Sequence, residues 1–196
     1  MNSNNKTDRR IIKTKKAIRN AFAELLSKMD IDEITITDIA ETADINRKTF
    51  YNHYTGIYQL IDEIENEIIS AFDDALRGVD FKNIRNNPYE IFKKLTTIIN
   101  SDLDFYSHLM KTDFNTRLVS KIIQTLKLHV KKSFSDQITI DEKTLDLIID
   151  YAASGMITVY QNWFNSGRTQ SIEEISQSIR VMTFSGIYGI LDEKLS

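Results

Sequence analysis

Apolar residues recur three and four positions apart along almost the whole chain, and only one proline and six glycines stand in 196 residues to interrupt them. That period places one apolar stripe on a helix, and the scarcity of breakers leaves room for long helices. Ile18, Ala21, Phe22, Leu25, Leu26 and Met29 give a first helix over about Arg9–Lys28. After a polar link, Asp30–Ile34, Thr35 stands as an N-cap with Asp38 three residues on, and Ile34 and Ile39 are spaced to staple the helix start. This short helix ends near Ala43. Asn46 repeats the device, with Ile45 and Phe50 as the staple, and opens a second short helix over Arg47–Tyr54. Ile57, Leu60, Ile61, Ile64, Ile68 and Phe72 continue as a stripe to about Arg77. Asp80–Asn87 is polar and is the best linker candidate. Further helices are expected over Pro88–Asn100, Leu103–Lys111, Phe114–Phe134 and Glu142–Asn165, and a last one from the capping box Ser171–Glu174 to about Leu191. The expected fold is all-α, with about nine helices.

Several functions are hard to build from this composition. Cysteine is absent, which removes disulfides, thiolate zinc sites and cysteine nucleophiles. None of the three histidines, His53, His108 and His129, has a metal-ligand partner four residues on, and no glycine-rich phosphate loop or nucleophile elbow occurs. We therefore expect no enzyme activity, no metal and no cofactor. No apolar run is long enough to cross a bilayer, and the polar, basic N-terminus lacks the apolar core of a signal peptide, so a cytoplasmic protein is expected. The net charge of −3 hides an asymmetry: residues 1–20 carry seven cations against one acid, a balance of +6, which leaves −9 for the rest. Charge that attracts a polyanion is concentrated at one end.

Two short helices across a tight turn, the second well capped, form the pattern of a helix-turn-helix. The exposed face of the second helix offers Arg47, Lys48, Tyr51, Asn52 and His53, with Phe50 and Tyr54 better placed inward. Arginine and lysine donate to guanine edges and asparagine pairs with adenine, while threonine and tyrosine hydroxyls suit phosphate oxygens. The DNA-contacting set is accordingly Thr35, Thr37, Asn46, Arg47, Lys48, Thr49, Tyr51, Asn52 and His53, joined by Lys13 and Lys15 of the basic arm. Arg47, Lys48 and Thr37 are the base readers in this set. The segment Ile34–Leu60, with Thr35, Ile39-Ala40, Ala43, Ile45-Asn46-Arg47-Lys48-Thr49-Phe50-Tyr51 and His53-Tyr54, resembles the DNA-binding region of the TetR family of bacterial regulators. Two positions depart from the family pattern. Asp44 stands where the family usually has a glycine in the turn, and aspartate tolerates a left-handed backbone. Ile57 stands where the family often has a phosphate-contacting lysine, which puts that contact in doubt.

The resemblance implies a DNA-binding domain, residues 1–54, followed by a helical ligand-binding and dimerisation domain, residues 55–196. It also implies a regulator, mostly a repressor, that binds a near-palindromic operator as a homodimer and answers to a small molecule. The segment Gly155–Arg168, with its tryptophan and Asn165-Ser166-Gly167 break, is similar to one C-terminal subgroup of the family. Phe92, Leu95, Phe105, Leu109, Met110, Phe114, Ile122, Leu126, Tyr151 and Tyr160 are the candidate lining of a pocket for a mostly apolar effector. The helix Glu142–Asn165 is apolar on more than one face and so needs more than one packing partner. With the last helix it supplies the candidate dimer seam: Gly155, Met156, Val159, Trp163, Val181, Phe184 and Tyr188. Gly155, Gly186 and Gly189 leave room there for close backbone approach. The alternative is an interaction protein whose C-terminal helices bind a protein partner in place of a small ligand.

Overall fold

A computed structural model describes residues 3–84, 89–110, 116–134 and 141–195, and the side chains of the same residues except 3–8, 116, 134 and 187–195. The described residues form nine α-helices: α1 (Ser3–Leu26), α2 (Ile36–Thr42), α3 (Arg47–Tyr51), α4 (Ile57–Leu76), α5 (Tyr89–Ser101), α6 (Leu103–Met110), α7 (Thr116–Phe134), α8 (Glu142–Asn165) and α9 (Ile172–Leu195). Two 3₁₀ turns, Ile31–Glu33 and Phe81–Asn83, complete the regular structure among them. The chain divides into two compact units, one made of residues 1–68 and 104–114 and the other of 69–103 and 115–196.

The first unit packs α1, α2, α3, the first half of α4, and α6. Its stripe residues Ile18, Phe22, Ile39, Phe50, Leu60 and Ile64 are almost wholly buried. Each contributes about 1.5–3 kcal/mol by leaving water. Arg19 lays its guanidinium 4.0 Å from the centre of the Phe105 ring, and His108 Nδ1 lies 3.1 Å from Ser27 Oγ.

The second unit gathers α5, α7, α8, α9 and the last part of α4 around Phe72, Leu76, Phe92, Ile99, Leu118, Ile149, Phe164 and Ile179. Tyr160 Oη lies 2.8 Å from Ser176 Oγ, which lies 2.8 Å from Thr96 Oγ1, and all three residues are buried. Such hydroxyls are costly to bury alone and nearly neutral when bonded to each other. Burial nevertheless raises the Tyr160 phenol above its ordinary value. Lys127 pairs with Asp150 at 2.7 Å and Lys131 with Glu142 at 2.8 Å, fixing α7 on α8, and His129 Nε2 reaches Asp73 at 2.8 Å.

Two details differ from the sequence reading. The second short helix ends at Tyr51, although Tyr54 N–H still donates to Phe50 O at 3.0 Å, so the last turn loosens before Thr55-Gly56 without unwinding. The start of the expected linker is anchored: Val79 and Phe81 are buried, and Asp80 accepts from the Lys82 and Asn83 amides. Two apolar residues flanking a capping aspartate make a turn there rather than slack chain. Within the protomer, a methyl group on Gly155 or Gly186 would meet nothing within 4 Å. The helix start at Asn87-Pro88 and Phe114 lie outside the described residues.

Candidate nucleic-acid interface

The cap at the start of α2 is a complete capping box. The Asp38 amide donates to Thr35 Oγ1 at 3.2 Å, and the Thr35 amide donates to Asp38 Oδ2 at 2.9 Å. The Thr35 hydroxyl also donates to that carboxylate at 2.6 Å, and these bonds hold the Asp38 carboxyl below its usual range. Ile34 and Ile39, the staple pair, are both buried. The turn into α3 passes through Asp44 at φ 51°, the left-handed conformation that its short polar side chain tolerates. A β-branched residue there is strained, so Asp44→Val is expected to lose about 1–2 kcal/mol in chemical denaturation, while Asp44→Gly holds or gains stability.

α3 then starts on Asn46, whose Oδ1 accepts from the Thr49 amide at 2.8 Å and the Thr49 hydroxyl at 3.0 Å. Phe50 is sunk in the core and meets Tyr54 with ring centres 5.5 Å apart. With the inner face fixed in this way, Arg47, Lys48 and Asn52 are exposed and Tyr51 is half out, its ring set edge-on to Phe50. His53 is half-buried beside the Tyr54 ring, and Thr37 is half-exposed on α2. Thr35, Asn46 and Thr49 are on the same segment, but their side-chain oxygens are engaged in the caps. Asn46→Ala is expected to cost about 1 kcal/mol of stability, read as a lower melting temperature.

The basic arm sorts onto different faces of α1. Arg9, Lys13 and Lys16 recur at i, i+4 and i+7, and with Arg10 all are exposed. Lys15 and Arg19 point the other way. Lys15 Nζ sits 2.6 Å from Glu63 Oε2 and 5.4 Å from the centre of the Tyr54 ring, and Arg19 pairs with Glu67 at 3.5 Å. Lys15, expected among the phosphate-contacting cations, is about one-third exposed and paired with α4, whereas Lys13 is fully on the exposed face. The acids that turn Lys15 and Arg19 inward lie nearly fifty residues along the chain, beyond the reach of a local reading. Tyr54 Oη donates to Glu63 Oε1 at 2.7 Å. Burial, then this bond, raises the Tyr54 phenol far above its ordinary value. Burial would raise the Glu63 carboxyl too, but the bonds from Lys15 and Tyr54 outweigh it and hold the group below the usual range.

The candidate pocket residues are divided between the two units. Phe105, Leu109 and Met110 belong to the first unit, whereas Phe92, Leu95, Ile122, Leu126 and Tyr160 belong to the second. Phe92, Leu126 and Tyr160 are buried, and the Tyr160 hydroxyl is already bonded to Ser176. Tyr151 is 70% exposed and lines the outside of α8. The candidate seam residues differ in exposure within the protomer. Trp163 is only 6% exposed and donates its indole N–H to Gln170 O at 2.8 Å, so it closes the α8–α9 corner within the protomer. Phe184 is half-buried with its ring edge-on to Phe92, and Met156 and Val159 are also half-buried. Gly155 and Val181 are exposed, and the Tyr188 side chain lies outside the described residues. Leu147, four positions from Tyr151, and Met182, beside Val181, are further exposed apolar residues of α8 and α9. Among the described residues, no group of three or more histidine or carboxylate side chains is placed to hold a metal, and no helix is long and apolar enough to cross a membrane.

Known proteins resemble this chain in sequence and in fold. Over 55 residues, 28% of this chain, it is 42% identical to the uncharacterized HTH-type transcriptional regulator YxbF of Bacillus subtilis (strain 168). Over 62 residues, 31% of this chain, it is 36% identical to the HTH-type dhaKLM operon transcriptional activator DhaS of Lactococcus lactis subsp. lactis (strain IL1403). These matches span only 14% and 33% of the length of those curated relatives. The fold is that of a crystal structure of a TetR-family transcriptional regulator from Streptomyces coelicolor, with a TM-score of 0.63, 17% identity and coverage of 92% of this chain and 86% of that one. Residues 86–185, half of the chain, match the family model described as the transcriptional regulator C-terminal region of the TetR type. The chain belongs to the TetR family of transcription regulators.

Proposed function

We propose that the protein is a ligand-responsive repressor that binds a near-palindromic operator as a homodimer. The single observation that carries DNA binding is α3: a capped helix, anchored by Phe50, with Arg47 and Lys48 exposed on its outer face. Residues 1–54 act as the reading head and residues 55–196 as the body. Lys13, Arg9 and Arg10 supply phosphate contacts, and Arg47, Lys48 and Thr37 supply base readout. A two-fold pair of heads needs half-sites about 34–36 Å apart, which explains the expectation of a near-palindrome.

The body is proposed to pair through the exposed apolar face of α8 and α9, which includes Tyr151, Gly155, Val181 and Met182. A mostly apolar effector held among residues such as Phe92, Leu95, Ile122 and Leu126 lowers operator affinity by binding one spacing of the heads more tightly than another.

The test is selection of duplexes from a random pool, followed by titration of the winner. A near-palindromic site should emerge, its binding should fall steeply with salt, and apolar compounds that raise the melting temperature should loosen it. A pool that yields no preferred sequence overturns the DNA-reading assignment. A preferred site with no stabilising compound, together with co-purification of a protein on the body, favours the protein-partner alternative. Deleting the gene should raise expression from the adjoining promoter, and a fall would make the protein an activator.

A further inference from the structure

Three elements of the first unit converge on one carboxylate. Glu63 of α4 takes the Lys15 ammonium of α1 on Oε2 at 2.6 Å and the Tyr54 hydroxyl, from the segment after α3, on Oε1 at 2.7 Å. The Lys15 ammonium also lies 5.4 Å above the Tyr54 ring, so each of the three groups touches the other two. Tyr54 is 2% exposed, and its ring packs on Phe50, the residue that anchors α3. The carboxylate therefore sits one contact away from the core side of the helix that carries Arg47 and Lys48. Lys15 and Glu63 are each about one-third exposed, at 37% and 32%, so salt screens the pair only in part.

We propose that Glu63 is a positioning residue for DNA reading: its carboxylate clamps Lys15 and Tyr54 to α4, so that Lys15 sets the pose of α3 and neutralises no phosphate. The inference rests on the DNA-reading function proposed above and assigns one cation and one acid within it. A lysine in such a clamp behaves unlike a lysine on DNA. A phosphate contact releases counterions, and its loss reduces the log–log salt slope by about 0.9 on any duplex. Loss of a clamp lets α3 adopt more poses, which lowers affinity for the preferred site alone and leaves the slope as it was.

The experiment uses the full-length protein, the selected operator and a scrambled duplex at several salt concentrations. Lys13→Ala, on the exposed face of α1, is the reference and should reduce the slope by about 0.9 on both duplexes. Lys15→Met keeps the packing stem and removes the charge. It should weaken operator binding roughly three- to tenfold, spare the scrambled duplex and leave the slope unchanged, as expected for one partly screened pair. Glu63→Gln, which keeps an acceptor for Tyr54, should match Lys15→Met, and the double variant should be no worse than either single one. Melting temperatures identify any variant that fails to fold, and Tyr54→Phe then provides the same operator-specific loss by removing one hydroxyl. A Lys15→Met slope as shallow as that of Lys13→Ala overturns the clamp, and so do unchanged operator affinities in Lys15→Met and Glu63→Gln. If Lys13→Ala also leaves the slope unchanged, it is the DNA-reading function itself that fails.

Discussion

Replacing Arg47 or Lys48 with alanine is expected to weaken operator binding by about 1–3 kcal/mol each, roughly five- to 150-fold, while a scrambled duplex loses much less. The asymmetry follows from where these side chains stand. Both are exposed on α3, with no core contact to lose, so the substitutions remove chemistry from the surface and leave the fold alone. A bidentate donor to a guanine edge counts only where the guanine is present, whereas a phosphate contact counts everywhere. The measurement is a titration of each variant against both duplexes at two salt concentrations, with thermal melting as the control for folding. Equal losses on the two duplexes would assign Arg47 and Lys48 to the backbone and move base reading elsewhere on the segment. Phe50→Ala provides the contrast: it removes a fully buried ring, costs about 3–5 kcal/mol of stability, and abolishes binding to both duplexes together.

The helix-turn-helix was legible because its determinants are local. Thr35 with Asp38 and Asn46 with Thr49 are three residues apart, and the staples Ile34–Ile39 and Ile45–Phe50 span five, so each motif is complete within about a turn and a half. The left-handed turn at Asp44 follows from its backbone tolerance alone. What sequence could not assign are pairings made over distance. Lys15 and Lys13 look alike in a run of cations, and only Glu63, 48 residues away, separates them. Periodicity marks an apolar face on a helix but does not name its partner. Hence Trp163 and Tyr151, both on α8, exchange their expected places: the tryptophan turns into the protomer and the tyrosine out of it. The Tyr160–Ser176–Thr96 chain joins residues up to 80 apart, and no local pattern marks it.

Met182→Asp is expected to convert the dimer to monomers and to reduce operator affinity by about a hundredfold or more, the scale lost when two linked binding events become independent. The exposed face of α8 and α9 shows Leu147 and Tyr151 each 70% exposed, Met182 58% and Val181 50%, with Gly155 beside them. Large apolar side chains left in water on two neighbouring helices are what a surface covered by a partner presents. In a two-fold dimer each residue of the seam occurs twice, so one substitution places two carboxylates in the same interface. A carboxylate buried there without a partner is costly, whereas on a free monomer it rests in water at no penalty, and the equilibrium shifts accordingly. The choice of residue decides what the test reports. Phe184 packs edge-on against Phe92, so a charge there damages the bundle of its own protomer and loses the dimer indirectly. Met182 and Tyr151 are exposed in the protomer, and aspartate at either should leave helix content and the thermal transition of the body intact. Light scattering on the wild type and on both variants at micromolar concentration, paired with operator titration, checks the expectation. Monomeric variants that still bind one half-site weakly would place pairing on α8 and α9. Variants that remain dimeric with full operator affinity would show that the two copies meet through another face.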